Sequence, residues 1–570
     1  MGSAFVRELR RSASGAAGRG IRFYDSPVAY EDLSYAELDR DARARAVELR
    51  ERGLVPGDVA VLAFEPGLPF IRAFLGCLYA GVVATPAPIT AARNADAVRA
   101  RLFAIARDAG AKALLTEPAA LAPLGVRDDE VVGEAPVLTV EGPSAGAYDQ
   151  WAMPAIDDTA LAILQYTSGS TGVPKGVMIS HGNLLANQLA IQGVVGTTSS
   201  SVTVGWLPHY HDMGLIGQIL QPLFAGASLY LTSPSQFLRR PLQWLRLMTE
   251  HRATHTVGPD FAFALCSRLA TDEQLATLDL SSVEAIITGA EPVRIQTLRD
   301  FTARFAPAGF RGEAFVPAFG MAETTLIVTG RRGTSSPVPI LASADAIERD
   351  VVAPAAPGER ELSLVSCGPP VRGMTVAIVD PNTSLRVPDG AVGEIWVSGT
   401  SVARGYWNRP EQTREDFGAT LPEEPGRAYL RTGDLGALLD GELVVTGRLK
   451  DLIIIRGRNI YPHDLETAAG NLLAPGCLSV AFELPDHDAD VGLVAEIDPK
   501  AATDHAALSA DLRRRVGDEF SLASLGVALI RKGTLPRTTS GKVQRSLTRA
   551  LVTRQQLPVL YAEGFEAVKA

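Results

Sequence analysis

Cysteine is scarce in this 570-residue chain, and its distribution excludes several classes of protein. The four cysteines, Cys77, Cys266, Cys367 and Cys477, lie far apart and show no paired metal-ligand spacing. This pattern argues against a disulfide framework and favours buried thiols in a reducing cytoplasm. The formal net charge is -10, which argues against general nucleic-acid binding because neutralising phosphates needs a basic surface.

The chain also lacks an apolar run long enough to cross a membrane. Its most apolar stretch, 74–89, is interrupted by Gly76, Gly81, Pro86 and Pro88. That stretch is shorter than the ~20 residues that a spanning helix needs. We interpret it as a core helix followed by a buried strand, and we expect a cytoplasmic protein without a membrane span.

The order of apolar patterns predicts an α/β protein of at least two domains. Residues 35–52 and 68–79 have helical patterns, and the string DVAVLAF (58–64) reads as a buried strand. Pro69 falls in the first turn of the second helix, where proline is tolerated. Residues 331–361 are rich in proline and serine, and we interpret them as an insertion.

The character of the sequence changes near residue 447, where turns and an apolar strand precede a segment of about 120 residues. We predict a large N-terminal domain at 1–449, made of several α/β subdomains. A small, mobile α+β domain is predicted at 450–570. The hinge is placed at Lys450–Asp451.

Residues 166–176, YTSGSTGVPKG, have the composition of a phosphate-binding segment. Glycines let backbone N–H groups approach an anion, and hydroxyls and one ammonium add further donors. The string is not a mononucleotide P-loop, because Lys175 is followed by Gly176 and not by Ser or Thr.

This string resembles the signature of the adenylate-forming superfamily, which includes acyl-CoA synthetases, peptide-synthetase adenylation domains and luciferases. The resemblance spans nearly the whole chain and implies ATP-dependent activation of a carboxylic acid to acyl-AMP with release of pyrophosphate. Six further strings follow in the family's order: LPHYHDMG (207–214), GAEP (289–292), FGMAET (319–324), RTGD (431–434), GRLKDLIIIRGRNIYP (447–462) and PRTTSGKVQR (536–545).

Lysine is rarer than arginine, and its positions support this reading. Of seven lysines, Lys175, Lys450 and Lys542 fall inside these short strings. The two cationic side chains are not interchangeable, because lysine is a compact point charge and arginine a planar fork. Positions that keep lysine therefore indicate a requirement for it.

The resemblance implies a role for each matching residue. Lys542 would bridge the carboxylate and the α-phosphate, Glu323 would bind Mg²⁺, and His211 would lie at the mouth of the acyl pocket. The phosphates would be bound by Thr167, Ser168, Gly169, Ser170, Thr171, Gly172 and Lys175, with Thr171 also among the catalytic residues.

The nucleoside end of ATP is implied to meet a second group of residues. Phe319 would stack on adenine, although the family usually has Tyr at this position, so the ring face is kept and the hydroxyl is lost. Asp434 would accept hydrogen bonds from the ribose, supported by Arg448. The adenine site would be completed by Gly289, Ala290, Glu291, Gly320 and Met321.

Several strings resemble the fatty acyl-AMP ligases more than the CoA ligases, among them GWLPHYHDMGLIG and GEIWVSGTSVARGYW. Members of that subgroup carry an extra segment where 331–361 falls, and they pass the acyl group to an acyl carrier protein. Because the chain ends at Ala570 without a carrier domain, we expect the carrier to act in trans. Residues 500–554 hold eleven basic and four acidic residues, and a basic face there is a candidate dock for an acidic carrier.

Three alternatives stay open at this point. The first is an acyl-CoA synthetase, which differs only in the acceptor. The second is amino-acid activation, since Asp212 lies near the position of an amine-binding aspartate. The third is an inactive adenylate-binding module. Asp260 also departs from the subgroup's usual Asn and would disfavour a simple fatty tail unless it is paired.

Overall fold

The computed structural model describes residues 2–16, 18–89, 95–140, 142, 147–167, 174–455, 458–484, 489–498, 504–538 and 542–565. Within these ranges the strands are β1 (Gly20–Tyr24), β2 (Tyr30–Ser34), β3 (Val59–Ala63), β4 (Val83–Pro86), β5 (Ala113–Thr116), β6 (Val131–Val132), β7 (Ala135–Thr139), β8 (Leu161–Thr167), β9 (Lys175–Ser180), β10 (Val202–Gly205), β11 (Ser228–Thr232), β12 (His255–Gly258), β13 (Ala285–Thr288), β14 (Phe315–Gly320), β15 (Ile327–Gly330), β16 (Ile340–Ser343), β17 (Glu361–Leu364), β18 (Met374–Val379), β19 (Gly393–Gly399), β20 (Ala419–Leu421), β21 (Glu424–Leu439), β22 (Glu442–Arg448), β23 (Ile453–Ile455), β24 (Arg458–Ile460), β25 (Ser479–Glu483), β26 (Val491–Ile497), β27 (Leu525–Arg531) and β28 (Val559–Glu563).

The helices of the same ranges are α1 (Ala4–Gly15), α2 (Tyr35–Glu51), α3 (Leu68–Ala80), α4 (Ala95–Ala109), α5 (Pro118–Leu124), α6 (His181–Val195), α7 (Gln221–Ala225), α8 (Pro234–Arg239), α9 (Leu242–Glu250), α10 (Asp260–Leu269), α11 (Asp272–Leu275), α12 (Ile295–Phe305), α13 (Ala344–Ile347), α14 (Pro410–Phe417), α15 (Pro462–Gly470), α16 (His505–Phe520) and α17 (Arg545–Thr553). A π-helical segment, Met213–Leu220, precedes α7.

Two large sheets form the centre of the molecule, and both are parallel inside with antiparallel edges. The first has the order β15-β14-β13-β12-β10-β11-β1-β2, and the second has the order β6-β7-β5-β3-β4-β8-β9. Apolar residues from the second sheet and from α3 and α6 pack together with residues of β11, β18 and β19 in one core. The α/β class predicted from the alternating pattern is confirmed.

Local sequence explains the ends of the early helices. Ser34 and Glu37 form a reciprocal capping box at the start of α2, which satisfies N–H groups that the helix leaves unpaired. Pro69 lies in the first turn of α3, and Gly81 ends that helix in the left-handed conformation with φ 73°. Both predicted helices are therefore present, with ends within a residue of those expected.

The first helix is anchored to the core by its N-terminus. The side chain of Ser3 lies 3.0 Å from Nδ1 of His181, and the backbone N–H of Ala4 donates to Asp158 at 2.7 Å. Phe5 is fully buried and stacks on Phe224 with 6.3 Å between the ring centroids. These contacts tie α1 to α6 and α7.

The C-terminal residues form a sheet of their own, with the order β25-β26-β27-β28. Helices α15 and α16 bury apolar residues against one face, and residues of α17 contribute to a second cluster. The five-stranded sheet β18-β19-β21-β20, with β22 paired to β21, comes immediately before this part in the chain.

Residues 331–361 are more ordered than their composition indicates. They contain β16 and α13, and β16 pairs with β17 in antiparallel register. Ala342, Ala344 and Ile347 are buried there. The prolines border these elements, and the segment packs its apolar residues against Val392, Leu435, Ala437 and Tyr461 in a small shared cluster.

All four cysteines are free and buried, as the sequence predicts. Among the described residues, no helix is both long and apolar enough to cross a bilayer.

Two buried histidines predict an acid-sensitive fold. Burial lowers the pKa of His181 to about 4 and that of His209 to about 3. The unfolded chain binds these protons below about pH 6.5 and the folded chain does not. Stability is therefore present above pH 6.5 and is lost as the pH falls toward 4, by about 1.4 kcal/mol per pH unit for each histidine.

Urea unfolding at neutral and acidic pH measures this dependence. We expect His181→Gln to reduce the pH dependence of the unfolding free energy, and His505→Gln, at the partly exposed start of α16, is the matched substitution for comparison. An identical acid response in His181→Gln and the parent protein would contradict the assignment.

Candidate active site

The carboxyl ends of neighbouring parallel strands bring the predicted site residues together. In the first sheet Gly258 pairs with Thr288 and Thr288 with Pro317, so β12, β13 and β14 end at one edge. Residues 289–291 follow β13, and residues 319–323 end β14 and continue beyond it. Ligands of open α/β sheets bind at this kind of edge.

The conformation of the turn after β14 depends on a close contact between two backbone segments. A Cβ atom at Gly320 would lie 1.8 Å from the carbonyl oxygen of Leu326, so this position requires glycine. The N–H of Met321 donates to the same oxygen at 2.9 Å. Asn187 donates to the carbonyls of Thr324 and Ile327 at 3.3 and 3.1 Å, which locks the turn against α6.

Glu323 is held by this turn with its carboxylate buried. The hydroxyl of Tyr406 donates to its Oε1 at 3.0 Å. Burial is the main cause that raises the pKa of Glu323, and the nearby charges of Asp212 and Asp434 raise it further. Among the described residues no group of three His, Cys, Asp or Glu side chains could hold a metal ion, so Glu323 would supply a single carboxylate ligand to a divalent cation whose other ligands would come from phosphates and water. Hard oxygen ligands of this kind suit Mg²⁺.

Lys175 and Thr167 bracket the predicted phosphate-binding string. They pair with one another across β8 and β9. The Nζ atom of Lys175 lies 5.2 Å from the ring centroid of Tyr406, so the same tyrosine contacts both Lys175 and Glu323. Tyr166 packs on Gly176 and its hydroxyl donates to Asp108 at 2.7 Å.

Asp434 and Arg448 pair across β21 and β22. The Nε atom of Arg448 donates to Asp434 at 3.1 Å. Burial raises the pKa of Asp434, and the charges of Arg448, Lys542 and Lys450 lower it in part. The carboxylate is thus available as a hydrogen-bond acceptor with one guanidinium beside it.

Lys542 comes from the far end of the chain and lies partly buried among these groups. Burial lowers the pKa of its ammonium, and the carboxylates of Asp212, Glu291 and Asp434 raise it. Its backbone is held by Thr538, whose side-chain oxygen accepts from the N–H of Lys542 at 3.1 Å. The structure therefore places one lysine under the influence of acids from three separate segments, the turn before the π-helical segment, the turn after β13, and β21.

Comparisons with known proteins show to which family this chain belongs. The AMP-binding enzyme family matches residues 10–407. The medium-chain-fatty-acid–acyl-carrier-protein ligase JamA of Moorena producens is 42% identical over 530 residues, covering 91% of this chain and 89% of that protein. The crystal structure of the L. pneumophila fatty acyl-adenylate ligase in complex with acyl adenylate and pyrophosphate has a TM-score of 0.76 at 35% identity, covering 99% of this chain and 98% of that chain.

The chain belongs to the AMP-binding enzyme family, among its fatty acyl-AMP ligases. A further relative, the 4-hydroxyphenylalkanoate adenylyltransferase of Mycobacterium tuberculosis, is 36% identical over 558 residues, covering 93% of this chain and 88% of that protein. The likeness to the L. pneumophila structure covers 99% of this chain and so extends into its C-terminal residues.

Most of the predicted site residues of this fatty acyl-AMP ligase fall in the described ranges. Phe319 is buried at the end of β14, and Ala290 has a positive φ of 65° in the turn after β13. Nδ1 of His211 contacts Asp212 at 2.7 Å. Five predicted phosphate-binding residues lie outside the described residues: Ser168, Gly169, Ser170, Thr171 and Gly172.

Asp260 is paired in this ligase, which resolves the doubt that it raised. It accepts hydrogen bonds from the N–H of Arg294 and the hydroxyl of Thr297, both at 2.9 Å. Burial raises the pKa of Asp260, while Arg294 and Thr297 lower it in part. Because these partners use both carboxylate oxygens, the residue does not oppose an apolar acyl chain.

The excursion at 331–361 binds the C-terminal residues through a polar contact that we call the Glu348 latch. Glu348 accepts from Nε and Nη2 of Arg458 at 2.7 and 3.1 Å and from Arg360. The guanidinium of Arg360 lies 4.7 Å from the ring centroid of Phe520. Asn459 donates to Asp350 at 2.7 Å. The latch comprises Glu348, Asp350, Arg360, Arg458, Asn459 and Phe520.

Sequence reasoning did not single out Tyr406 or Asp108. Tyr406 lies in the string ARGYW, which served only to distinguish branches of the family. Asp108 is on α4, and its carboxylate joins Tyr166 to Arg409. Neither residue carries a spacing signal, because each acts on residues distant in sequence.

Gly320→Ala is expected to distort the site and to lower stability. The added methyl group would have to displace the Leu326 carbonyl, which costs about 1–3 kcal/mol or more where backbone must move. Thermal unfolding and acyl-AMP formation should both fall. Gly426→Ala is the control, since a Cβ there meets no atom within 4 Å. Wild-type behaviour of Gly320→Ala would contradict the predicted clash.

Proposed function

We propose that this protein condenses a medium-chain fatty acid with ATP to give acyl-AMP and pyrophosphate, and then transfers the acyl group to the phosphopantetheine thiol of a separate acyl carrier protein with release of AMP. The convergence of Lys542 with Asp212, Glu291 and Asp434 carries the proposal. It supplies one mobile cation at an edge where two anions, the carboxylate and the triphosphate, have to meet.

In this mechanism the protein mainly aligns the two substrates and neutralises their negative charge. Lys542 would contact the attacking carboxylate and the α-phosphate, which lowers the repulsion between them. Asp434 would accept hydrogen bonds from the ribose, with Arg448 orienting its carboxylate. Mg²⁺ bound at Glu323 would neutralise charge on the phosphates. Phe319 would present its ring to adenine.

A fatty acid is favoured over an amino acid for a specific reason. The carboxylate of Asp212 accepts from the N–H of Met213 at 2.6 Å and contacts His211 at 2.7 Å. These partners and Lys542 lower the pKa of Asp212 against the opposing effect of burial. Both direct contacts use Oδ1, and an ammonium group of a substrate would compete with the charges of His211 and Lys542 for this carboxylate. The named activity of JamA favours a medium-chain acid.

The domain division at residues 449 and 450 belongs to the same proposal. Lys450 and Asp451 lie in a short helical turn between β22 and β23. Asp451 accepts from Arg545 at 2.8 Å, so the proposed hinge is connected to α17. Rotation about this turn would withdraw Lys542 after adenylation and open the site to the carrier thiol.

The basic residues at 500–554 give weaker support for carrier docking than their number indicates. Arg513 forms an ion pair with Glu563, and Arg514 pairs with Asp511 at 2.7 Å. Charges matched in this way attract an acidic partner less strongly. The carrier is therefore proposed on the strength of the relatives and not of this surface.

The first test incubates the purified protein with ATP, Mg²⁺, CoA and a panel of carboxylic acids from short to long chains, with hydroxyaryl and amino acids included. Mass spectrometry should detect acyl-AMP, highest for medium chains, without acyl-CoA. Abundant acyl-CoA would contradict the choice of acceptor.

Lys542→Ala should reduce acyl-AMP formation about 10²–10³-fold through loss of charge stabilisation. Lys532→Ala is the control and should not reduce it, because the amine of Lys532 donates to the Pro475 carbonyl.

The Glu348 latch is expected to favour the adenylating arrangement. Glu348→Ala leaves Arg360 and Arg458 facing one another without a carboxylate, so the C-terminal residues should dock less often. We expect pyrophosphate release to slow about tenfold while transfer from preformed acyl-AMP to carrier is spared, because removing one partner of a buried ion pair is strongly unfavourable.

Separate rapid-quench measurements of the two half-reactions test this expectation. Glu361→Ala removes a charge from an exposed position of the neighbouring strand β17 and is the matched control. Equal slowing of both half-reactions in Glu348→Ala would contradict a role in docking.

A further inference from the structure

Tyr406 lies between two groups of opposite charge. Its hydroxyl donates to Glu323 Oε1 at 3.0 Å, and its ring centroid lies 5.2 Å from Nζ of Lys175. Its side chain is buried, with 8% of the residue's surface exposed. Tyrosine suits both contacts, because its hydroxyl is a donor and its ring face attracts a cation.

Backbone hydrogen bonds fix Tyr406 relative to Lys175. Strand β9 begins at Lys175, and residues 404–407 run beside it. The N–H of Met178 donates to the carbonyl of Gly405 at 2.9 Å, and the N–H of Trp407 donates to the carbonyl of Gly176 at 2.8 Å. The N–H of Tyr406 itself donates to the hydroxyl of Thr413 at 2.9 Å. The ring is therefore positioned from the strand that carries the lysine.

The same segment also holds Glu323 at its backbone. The N–H of Ala403 donates to the carbonyl of Glu323 at 2.8 Å, three residues before the tyrosine that contacts its carboxylate. Both the backbone carbonyl and the side-chain carboxylate of Glu323 thus accept hydrogen bonds from residues 403–406. Any movement of β9 relative to the turn after β14 would have to break these contacts.

We propose that Tyr406 is a positioning residue that sets the distance between Glu323 and Lys175. This inference rests on the proposed function, in which Glu323 holds the cation and Lys175 binds the phosphates of one ATP molecule. Both groups have to contact the same triphosphate, so a fixed distance between them lowers the entropic cost of aligning it. The tyrosine hydroxyl acts on the cation ligand, and the tyrosine ring acts on the phosphate-binding lysine.

The two contacts can be separated by substitution. Tyr406→Phe keeps the ring under Lys175 and removes the donor to Glu323. Tyr406→Leu removes both contacts. Phe417→Leu is the packing control, because Phe417 meets Tyr406 edge-on with 5.2 Å between centroids and belongs to neither contact.

Equilibrium binding of ATP, measured by calorimetry with Mg²⁺ and separately with EDTA, reports each contact without turnover. Tyr406→Phe should weaken ATP binding about tenfold in Mg²⁺ and leave it unchanged in EDTA, since a hydrogen bond to a charged group is lost. Tyr406→Leu should weaken it in EDTA as well, by about threefold. The Mg²⁺ concentration for half-maximal acyl-AMP formation should rise about tenfold in Tyr406→Phe.

Two results would overturn the proposal. One is unchanged Mg²⁺ dependence in Tyr406→Phe, and the other is the same loss in Phe417→Leu, which would assign the effect to packing. Failure of the proposed function is a separate outcome. It would appear as absent acyl-AMP in the parent protein, while the binding comparison between Tyr406→Phe and Phe417→Leu would still decide the role of Tyr406.

Discussion

Desolvated carboxylates that follow β13, follow β14 and lie on β21 set the charge of the candidate site, and the rest of the site depends on how that charge is balanced. Burial raises the pKa of Glu291, Glu323 and Asp434. Such groups are costly to keep ionised unless a cation is near. Lys542, whose ammonium is influenced by the charges of Glu291 and Asp434, is more than a hundred residues further along the chain than Asp434. The site is therefore completed by docking of the C-terminal residues and, in the proposed mechanism, by the metal and substrates.

Docking of the C-terminal residues in turn needs contacts from residues that take no part in the reaction. The Glu348 latch is such a contact, because it joins residues 348–360 to Arg458 and Phe520, at a distance along the chain from the strand ends of the candidate site. Arg458 and Arg360 lower the pKa of Glu348 against the opposing effect of burial, so its carboxylate stays charged and the ion pairs persist. The excursion that the sequence marks as an insertion thus contacts the C-terminal residues.

Sequence patterns predicted the helices and strands well where residues inside or next to an element determine its ends. The turn residues Pro69 and Gly81 bound α3, since proline fixes a first turn and glycine accepts the left-handed conformation that ends a helix. The proline-rich composition of 331–361 was less informative, because the buried side chains of β16 and α13 depend on partners elsewhere. Whether the carboxylate of Asp260 is paired could not be read from the sequence, for the same reason. Its partners, Arg294 and Thr297, are more than thirty residues away in the sequence.

The sequence by itself determined the family, the α/β class and the candidate residues, because ordered strings such as FGMAET carry their chemistry in contiguous residues. Only the tertiary structure decided which groups meet. It joined Tyr406 to Glu323 and Lys175, and Glu348 to Arg458, by bringing strand ends and turns of distant segments together. Hydrogen bonds and ion pairs act over a few ångströms, and sequence spacing does not specify such distances between residues that are far apart in the chain.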